Sequence, residues 1–389
     1  MSFNRGRYIF GALFLGAGVL IAAWYLADQM SRSETLPDYY GPLIPTRSST
    51  VVATPLTAAL SDTLTPMPTA TTPAQAPTSA GVAALYTPWQ RLCVGVPFPD
   101  RQAAALQKFP VGWYLNWRTA LQPDHPDGAE FAQMVRVPRG EIVPDLATIT
   151  QIAQQNPGSV WLIGNEMDVI WQDNATPDQY AAAYHDVYST LKQADPTSRV
   201  AIGGITQPSP LRLQYLEQVL AAYRERFGNE MPIDVWNVHN FILPEQRGSW
   251  GVDIPPGIEA TRGLTYTIED HGNLDIFKQQ IVDFRRWMAD HGYRDKELLV
   301  SEYGILMYPD YGYEYPRVRD FMLGTFEFFR TATDDTLGLP ADGNRLVQRW
   351  CWYSLADTAY PTGNLIDDQG QTLTPLGRDF TTYLDSLEK

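Results

Sequence analysis

The sequence predicts an α/β protein: a (β/α)8 TIM barrel preceded by one N-terminal transmembrane helix and a disordered Pro/Thr-rich stalk. Three observations predict it. Residues 8–27 are uncharged and mostly apolar, residues 41–80 hold seven Pro and ten Thr against two charged residues, and from residue 92 onward short β-branched and aromatic runs alternate with longer stretches of helical pattern. The implied organisation is a cytoplasmic tip and anchor over 1–28, a linker over 29–84 and a catalytic-sized barrel over 85–389.

The first element follows from bilayer dimensions. At about 1.5 Å rise per residue, a helix over 8–27 covers the roughly 30 Å of membrane hydrocarbon. Arg5 and Arg7 precede it and favour a cytoplasmic N-terminus. The competing reading is a cleaved signal peptide, but the run is long for one and no well-placed A-x-A site follows. Either reading exports the rest of the chain, to the cell membrane or to the medium. In the linker, repeated Thr-Pro steps favour an extended backbone that cannot form a core, so nothing catalytic is expected there.

Eight strands are expected near 92–96, 111–116, 131–137, 159–164, 199–203, 233–239, 297–301 and 349–354, the alternation with helices being the mark of repeated βα units and a parallel sheet. The helices carry their own start signals. Thr176, Pro177 and Gln179 read as an N-cap, a first-turn Pro and a capping-box partner, and Ser209-Pro210 repeats the pattern. Over 211–227, Leu213, Leu216, Val219 and Leu220 recur on one helical face, as packing on the outside of a barrel requires. Two long connections, 242–274 and 303–316, follow expected strands, and in a barrel such loops build the ligand face.

Composition limits the chemistry. With 29 Lys and Arg against 44 Asp and Glu, a net charge of −15 repels a polyanion, so no nucleic-acid partner is expected. No Walker A segment, dinucleotide fingerprint or H-E-x-x-H helix occurs, and the five histidines, His125, His185, His239, His271 and His291, lack metal-ligand spacing. No cofactor, metal or obligate protein partner is expected. Cys93 and Cys351 fall on the first and last expected strands, which closure makes neighbours. Because in-register parallel side chains lie alongside one another, two free buried thiols are expected, with a disulfide as the second outcome.

The chemistry-bearing pattern is a pair of carboxylates. Glu166 follows the apolar run Val160-Trp161-Leu162-Ile163, and Glu302 follows Leu298-Leu299-Val300-Ser301. A single Glu at a strand end is usually a salt-bridge or capping partner. Two in matched contexts, about three strands apart on a closed barrel, face each other across one mouth. Glycosidic cleavage needs that arrangement: one carboxyl protonated for the leaving oxygen, the other ionised to attack or to activate water.

Leu162-Ile163-Gly164-Asn165-Glu166 and Leu299-Val300-Ser301-Glu302-Tyr303-Gly304 resemble the fourth- and seventh-strand motifs of the retaining glycoside hydrolases with 4/7 (β/α)8 architecture. The resemblance implies Glu166 as acid/base, Asn165 as a hydrogen-bond partner of the sugar 2-hydroxyl and Glu302 as nucleophile. It implies that Val238-His239-Asn240 supplies a polar group from strand six, and Trp350 or Trp352 a sugar platform. Met167-Asp168 departs from the Pro common after the Asn-Glu pair.

Read from the residues alone, His239 either donates to Glu302 or is a satisfied structural imidazole. Arg136 either lowers the nucleophile's pKa or forms a barrel salt bridge. Sugar rings stack on flat side chains. Trp113, Tyr114 and Trp117 surround one strand end, Trp171 lies beyond Glu166, Trp250 lies after His239, and Tyr303, Tyr308, Tyr311, Tyr313 and Tyr315 follow Glu302. Of these, Trp113, Trp171 and Tyr303 join Asn165, His239, Arg136, Trp350 and Trp352 as expected substrate-binding residues. The expected activity is retaining hydrolysis of O-glycosidic bonds in an extracellular oligo- or polysaccharide; a non-catalytic glycan-binding barrel is the rival. An aldolase needs a barrel-facing lysine, and no expected strand contains one.

Overall fold

The structure, a computed structural model, describes residues 84–387. The expected anchor, 8–27, and the expected linker, apart from its last residue, lie outside the described residues. No helix among the described residues is long and apolar enough to cross a membrane.

Nine strands form one parallel sheet: β1 Leu92–Gly95, β2 Trp113–Leu115, β3 Glu130–Phe131, β4 Gln133–Val135, β5 Val160–Asn165, β6 Arg199–Gly204, β7 Val235–His239, β8 Glu297–Tyr303 and β9 Arg349–Trp352. Their order is β3-β2-β1-β9-β8-β7-β6-β5-β4. The two ends of that order, β3 and β4, are separated along the chain by Ala132 alone, β3 pairing with β2 and β4 with β5. They are the halves of one interrupted strand, and the sheet closes into an eight-position barrel. All eight expected strands are present, the single expected strand over 131–137 being the one that is split.

Among the described residues, eight α-helices accompany the strands: α1 Pro88–Arg91, α2 Pro99–Leu106, α3 Leu146–Gln155, α4 Pro177–Ala194, α5 Pro210–Phe227, α6 Leu274–Asp290, α7 Tyr315–Thr331 and α8 Pro375–Asp385. Thr176 caps α4 in a full capping box with Gln179, and Ser209 caps α5 by accepting from Arg212 N. On α5, Leu216, Val219 and Leu220 are buried, whereas Leu213 stays partly exposed.

Strand parity explains the outer core. Trp350 and Trp352 pair with Val300 and Tyr303 and share their outward face. Trp350 packs on Phe329 of α7, and Trp352 on Phe321 and Phe326. Each such side chain contributes about 1.5–3 kcal/mol on burial, and Phe326→Ala removes roughly 3–5 kcal/mol by opening a cavity.

Cys93 and Cys351 are directly paired across β1 and β9, and they are disulfide-bonded with their Cα atoms 4.1 Å apart. This corrects the expectation of free thiols. The two strands do bring the residues into register, but in a closed barrel side chains on the inner face converge toward the axis, so the sulfurs meet instead of lying parallel.

Candidate active site

Glu166 begins the β5–α4 connection, its N–H bonded to Gly204 O at 3.0 Å. Its φ of 44° is in the left-handed region, a conformation costing a residue with a side chain on the order of 1–3 kcal/mol. The surrounding bonds hold it there: Val169 N donates to Glu166 O, and Ala175 N to Met167 O, each at 3.0 Å.

Glu302 lies inside β8, one residue beyond the end expected for this strand, and a bulge decides its direction. Val238 pairs with Val300 but His239 pairs with Glu302, so two residues of β8 answer one of β7. The extra residue reverses the alternation. Glu302 then turns inward beside His239, and Tyr303 turns outward, against Phe277, Phe329 and Trp352.

The three groups meet at the carboxyl end of the strands. His239 Nδ1 lies 2.9 Å from Glu166 Oε1 and 3.8 Å from Glu302 Oε2. One ligand atom from each of Glu166, His239 and Glu302 falls within 4.8 Å of the others, so the same trio is the site's candidate set for a divalent cation. Trp117 Nε1 donates to Glu302 Oε2 at 2.8 Å. Its ring meets Tyr353 edge-on at 5.6 Å.

Two glycines make room for these partners. A Cβ on Gly95 would lie 2.6 Å from the Trp117 ring, and one on Gly204 would lie 2.4 Å from the His239 ring.

Burial dominates the electrostatics. It pushes Glu302 up to about 7; His239 pulls the other way, the charge of Glu166 adds to the rise, and the Trp117 hydrogen bond and Arg136 lower it. His239 would be depressed by burial alone, but the Glu302 charge, the hydrogen bond to Glu166 and the Glu166 charge raise it above the ordinary histidine range. Glu302 and His239 therefore hold protons that exposed groups of their kind would release.

Asn165 and Arg136 are held by Asp173, a fully buried carboxylate. Asp173 takes an ion pair from Arg136 at 2.7 Å and hydrogen bonds from the backbone of Val137 and Asn165. Arg136 thus forms the barrel salt bridge that was one of its two expected alternatives, and its charge also reaches Glu302. Asn165 Nδ2 makes a long 3.5 Å contact with Gln172, and its buried Oδ1 has no hydrogen-bond partner among the described residues. Trp171 is partly buried over the same loop, and its indole N–H also lacks a partner there.

Four expected sugar contacts lie elsewhere. Trp113 points inward but at the opposite end of the barrel, its N–H bonded to Arg91 O at 3.0 Å and its ring under the Arg349 guanidinium. Tyr303, Trp350 and Trp352 are outer-face core residues, at most 1 % exposed. Trp117 and Tyr353 are aromatic side chains that do reach the mouth. Parity counted from an inward Cys351 would have turned Trp350 and Trp352 outward, and Trp117 follows its strand directly; the bulge in β8 has no comparable sequence signal. Tyr308 and Tyr315 are exposed, whereas Tyr313 is buried. A cleft of about 640 Å³, whose lining includes Tyr114, Asn116 and His125, reaches the neighbour of Trp117 without including either carboxylate.

Residues 95–250 match the family model described as the glycosyl hydrolase catalytic core. With the barrel and its facing carboxylates, the match defines the class: this chain is a glycoside hydrolase, within a superfamily broader than any single family. Among solved structures, the fold is similar to a subgroup II GH128 endo-β-1,3-glucanase from Sorangium cellulosum (TM-score 0.51, 15 % identity, 75 % of this chain and 98 % of that one). It is similar also to a subgroup III GH128 curdlan-specific exo-β-1,3-glucanase from Blastomyces gilchristii, in complex with glucose (TM-score 0.51, 17 % identity, 76 % and 99 %). A search of curated protein sequences found no match.

Proposed function

We propose that the protein cleaves O-glycosidic bonds of an extracellular oligo- or polysaccharide with retention of configuration, Glu302 attacking the anomeric carbon and Glu166 serving as acid and then base. The observation that carries this reading is the spacing of the trio: oxygens of the two carboxyls lie within 4.8 Å of each other. Retaining pairs stand about 5–5.5 Å apart, whereas inverting pairs need about 6.5–9.5 Å to admit water.

In the first step Glu302, ionised, forms the glycosyl–enzyme ester while Glu166 gives its proton to the departing oxygen. In the second step Glu166 takes a proton from water, which opens the ester and returns Glu302 as a carboxylate. His239, within reach of both carboxyls, stabilises the charge that moves between them, and Trp117 orients the nucleophile by its N–H. The Asn165 Oδ1, unpartnered among the described residues, is an acceptor for a sugar hydroxyl, and the partly buried Trp171 offers a ring face near the mouth.

β-1,3-Glucans are the first substrates to test, because endo- and exo-acting β-1,3-glucanases share this fold. The protein is proposed to act outside the cytoplasm, tethered through residues 8–27. The apolar run and the Cys93–Cys351 disulfide both support export. The test is release of reducing ends from a panel of glycans, wild type beside Glu302→Gln. Turnover by wild type that the variant loses supports the reading; glycan binding without turnover by wild type would favour a binding barrel. Turnover abolished by a chelator and restored by a divalent cation would move Glu166, His239 and Glu302 to a metal-centred reaction.

A further inference from the structure

Below the turn that carries Glu166 lies a buried charge cluster of Asp168, Arg212 and Glu245. Arg212, in the first turn of α5, is fully buried and forms ion pairs with two carboxylates that are also fully buried. Its Nε lies 2.6 Å from Asp168 Oδ2, and its Nη1 bonds Glu245 Oε1. Asp168 stands two residues beyond Glu166, and it also accepts from Thr206 N at 3.2 Å, next to the β6 end that binds Glu166 N.

Glu245 belongs to the long β7–α6 connection. It fastens that loop on itself, accepting from Leu264 N at 2.9 Å while its own N–H donates to Leu264 O at 2.7 Å. Arg212 Nη2 adds a hydrogen bond to Val252 O at 3.0 Å. One guanidinium therefore joins the acid/base turn to the loop that carries Trp250.

We propose that the Asp168–Arg212 ion pair is a positioning device for the acid/base step, holding the 166–169 turn so that Glu166 keeps its left-handed backbone and its carboxyl stays against His239. The proposal rests on Glu166 being the acid/base. Two observations support it. The Glu166 backbone is in a conformation its own side chain disfavours, and Asp168 ties the turn that holds it to Arg212 and to Thr206 N. Asp168 is also fixed from both sides, its carboxylate against the buried Arg212 guanidinium and accepting from Thr206 N, next to the β6 end that binds Glu166 N. With the pair broken, Glu166 is free to leave its proton-transfer position while Glu302 and His239, on β8 and β7, remain in place.

The test compares Asp168→Asn with wild type. Asn keeps the side-chain shape and leaves Arg212 paired one-to-one with Glu245. Two substrates are used: the unactivated oligosaccharide that wild type cleaves, and a dinitrophenyl glycoside of the same sugar, whose leaving group needs no proton. The expected result is a loss of kcat/KM of tenfold or more on the first, and under threefold on the second, with a melting temperature near that of wild type. Arg212→Lys, which keeps the charge but cannot bridge both carboxylates, should show the same substrate dependence and guards against a poorly folded Asp168→Asn.

Equal losses on both substrates would mark the pair as merely structural and overturn the proposal, as would no loss on either. Glu166→Gln, run in parallel, separates the two levels. If it shows the leaving-group dependence and Asp168→Asn does not, only the positioning role fails; if Glu166→Gln does not show it, the acid/base assignment falls and the positioning role with it.

Discussion

Replacing Glu302 by Gln should stabilise the protein, and by an amount that depends on pH. Burial holds this carboxyl at about 7, against 4.5 for its ordinary value. A folded-state pKa raised above the unfolded one means that the native site prefers the proton. The favourable contribution is complete below about pH 4.5 and is lost as pH rises through about 7. At about 1.4 kcal/mol per pK unit, the ionised carboxylate costs on the order of 3 kcal/mol at pH 8, an upper value because His239 and Trp117 relax with it. Glutamine keeps the shape and carries no charge. Glu302→Gln should therefore melt roughly 5 °C or more above wild type at pH 8, and close to it at pH 4.5. The assay is thermal unfolding followed by circular dichroism at fixed scan rate across that range. Parallel pH profiles for the two proteins would refute the claim that Glu302 is a destabilised buried carboxylate.

Other outcomes follow from the same geometry. Glu166→Gln should lower kcat/KM at least a hundredfold on an unactivated glycan and much less on an activated aryl glycoside, and equal losses would contradict its role as acid. Trp117→Phe removes a hydrogen bond that lowers Glu302, so the acidic limb of the kcat/KM profile should move to higher pH; an unmoved limb would separate Trp117 from the nucleophile. The full chain should sediment with membranes, and the protein from residue 85 onward should be soluble and active, since the linker offers no apolar face to a core; a folded but inactive truncation would show the boundary to be misplaced.

Much of the fold was legible because it rests on local patterns. Apolar runs of strand length, capping residues such as Thr176 and Ser209, and the spacing between them were enough to place eight strands and close the barrel. The two carboxylates were legible for the same reason, as each ends an apolar run at a strand's carboxyl end. What escaped was parity. Tyr303, Trp350 and Trp352 follow or flank active-site positions in sequence but point to the helices, because a side chain's face depends on register and on the β8 bulge between Val300 and Tyr303. Trp113 escaped for a different reason: it faces the barrel interior, but height along the strand, not direction, separates it from the mouth. The disulfide depended on barrel curvature, which no spacing in the sequence encodes.

The central claim, that Glu302 attacks the sugar and is assisted by Glu166, is tested most directly by trapping the ester. A 2-deoxy-2-fluoro glycoside with an activated leaving group slows the second step more than the first, so the intermediate accumulates. Intact-mass analysis should then show one added fluorosugar, and peptide mapping should place it on Glu302. A label on another residue, or an active enzyme that accumulates no adduct and releases product of inverted configuration, would contradict the account.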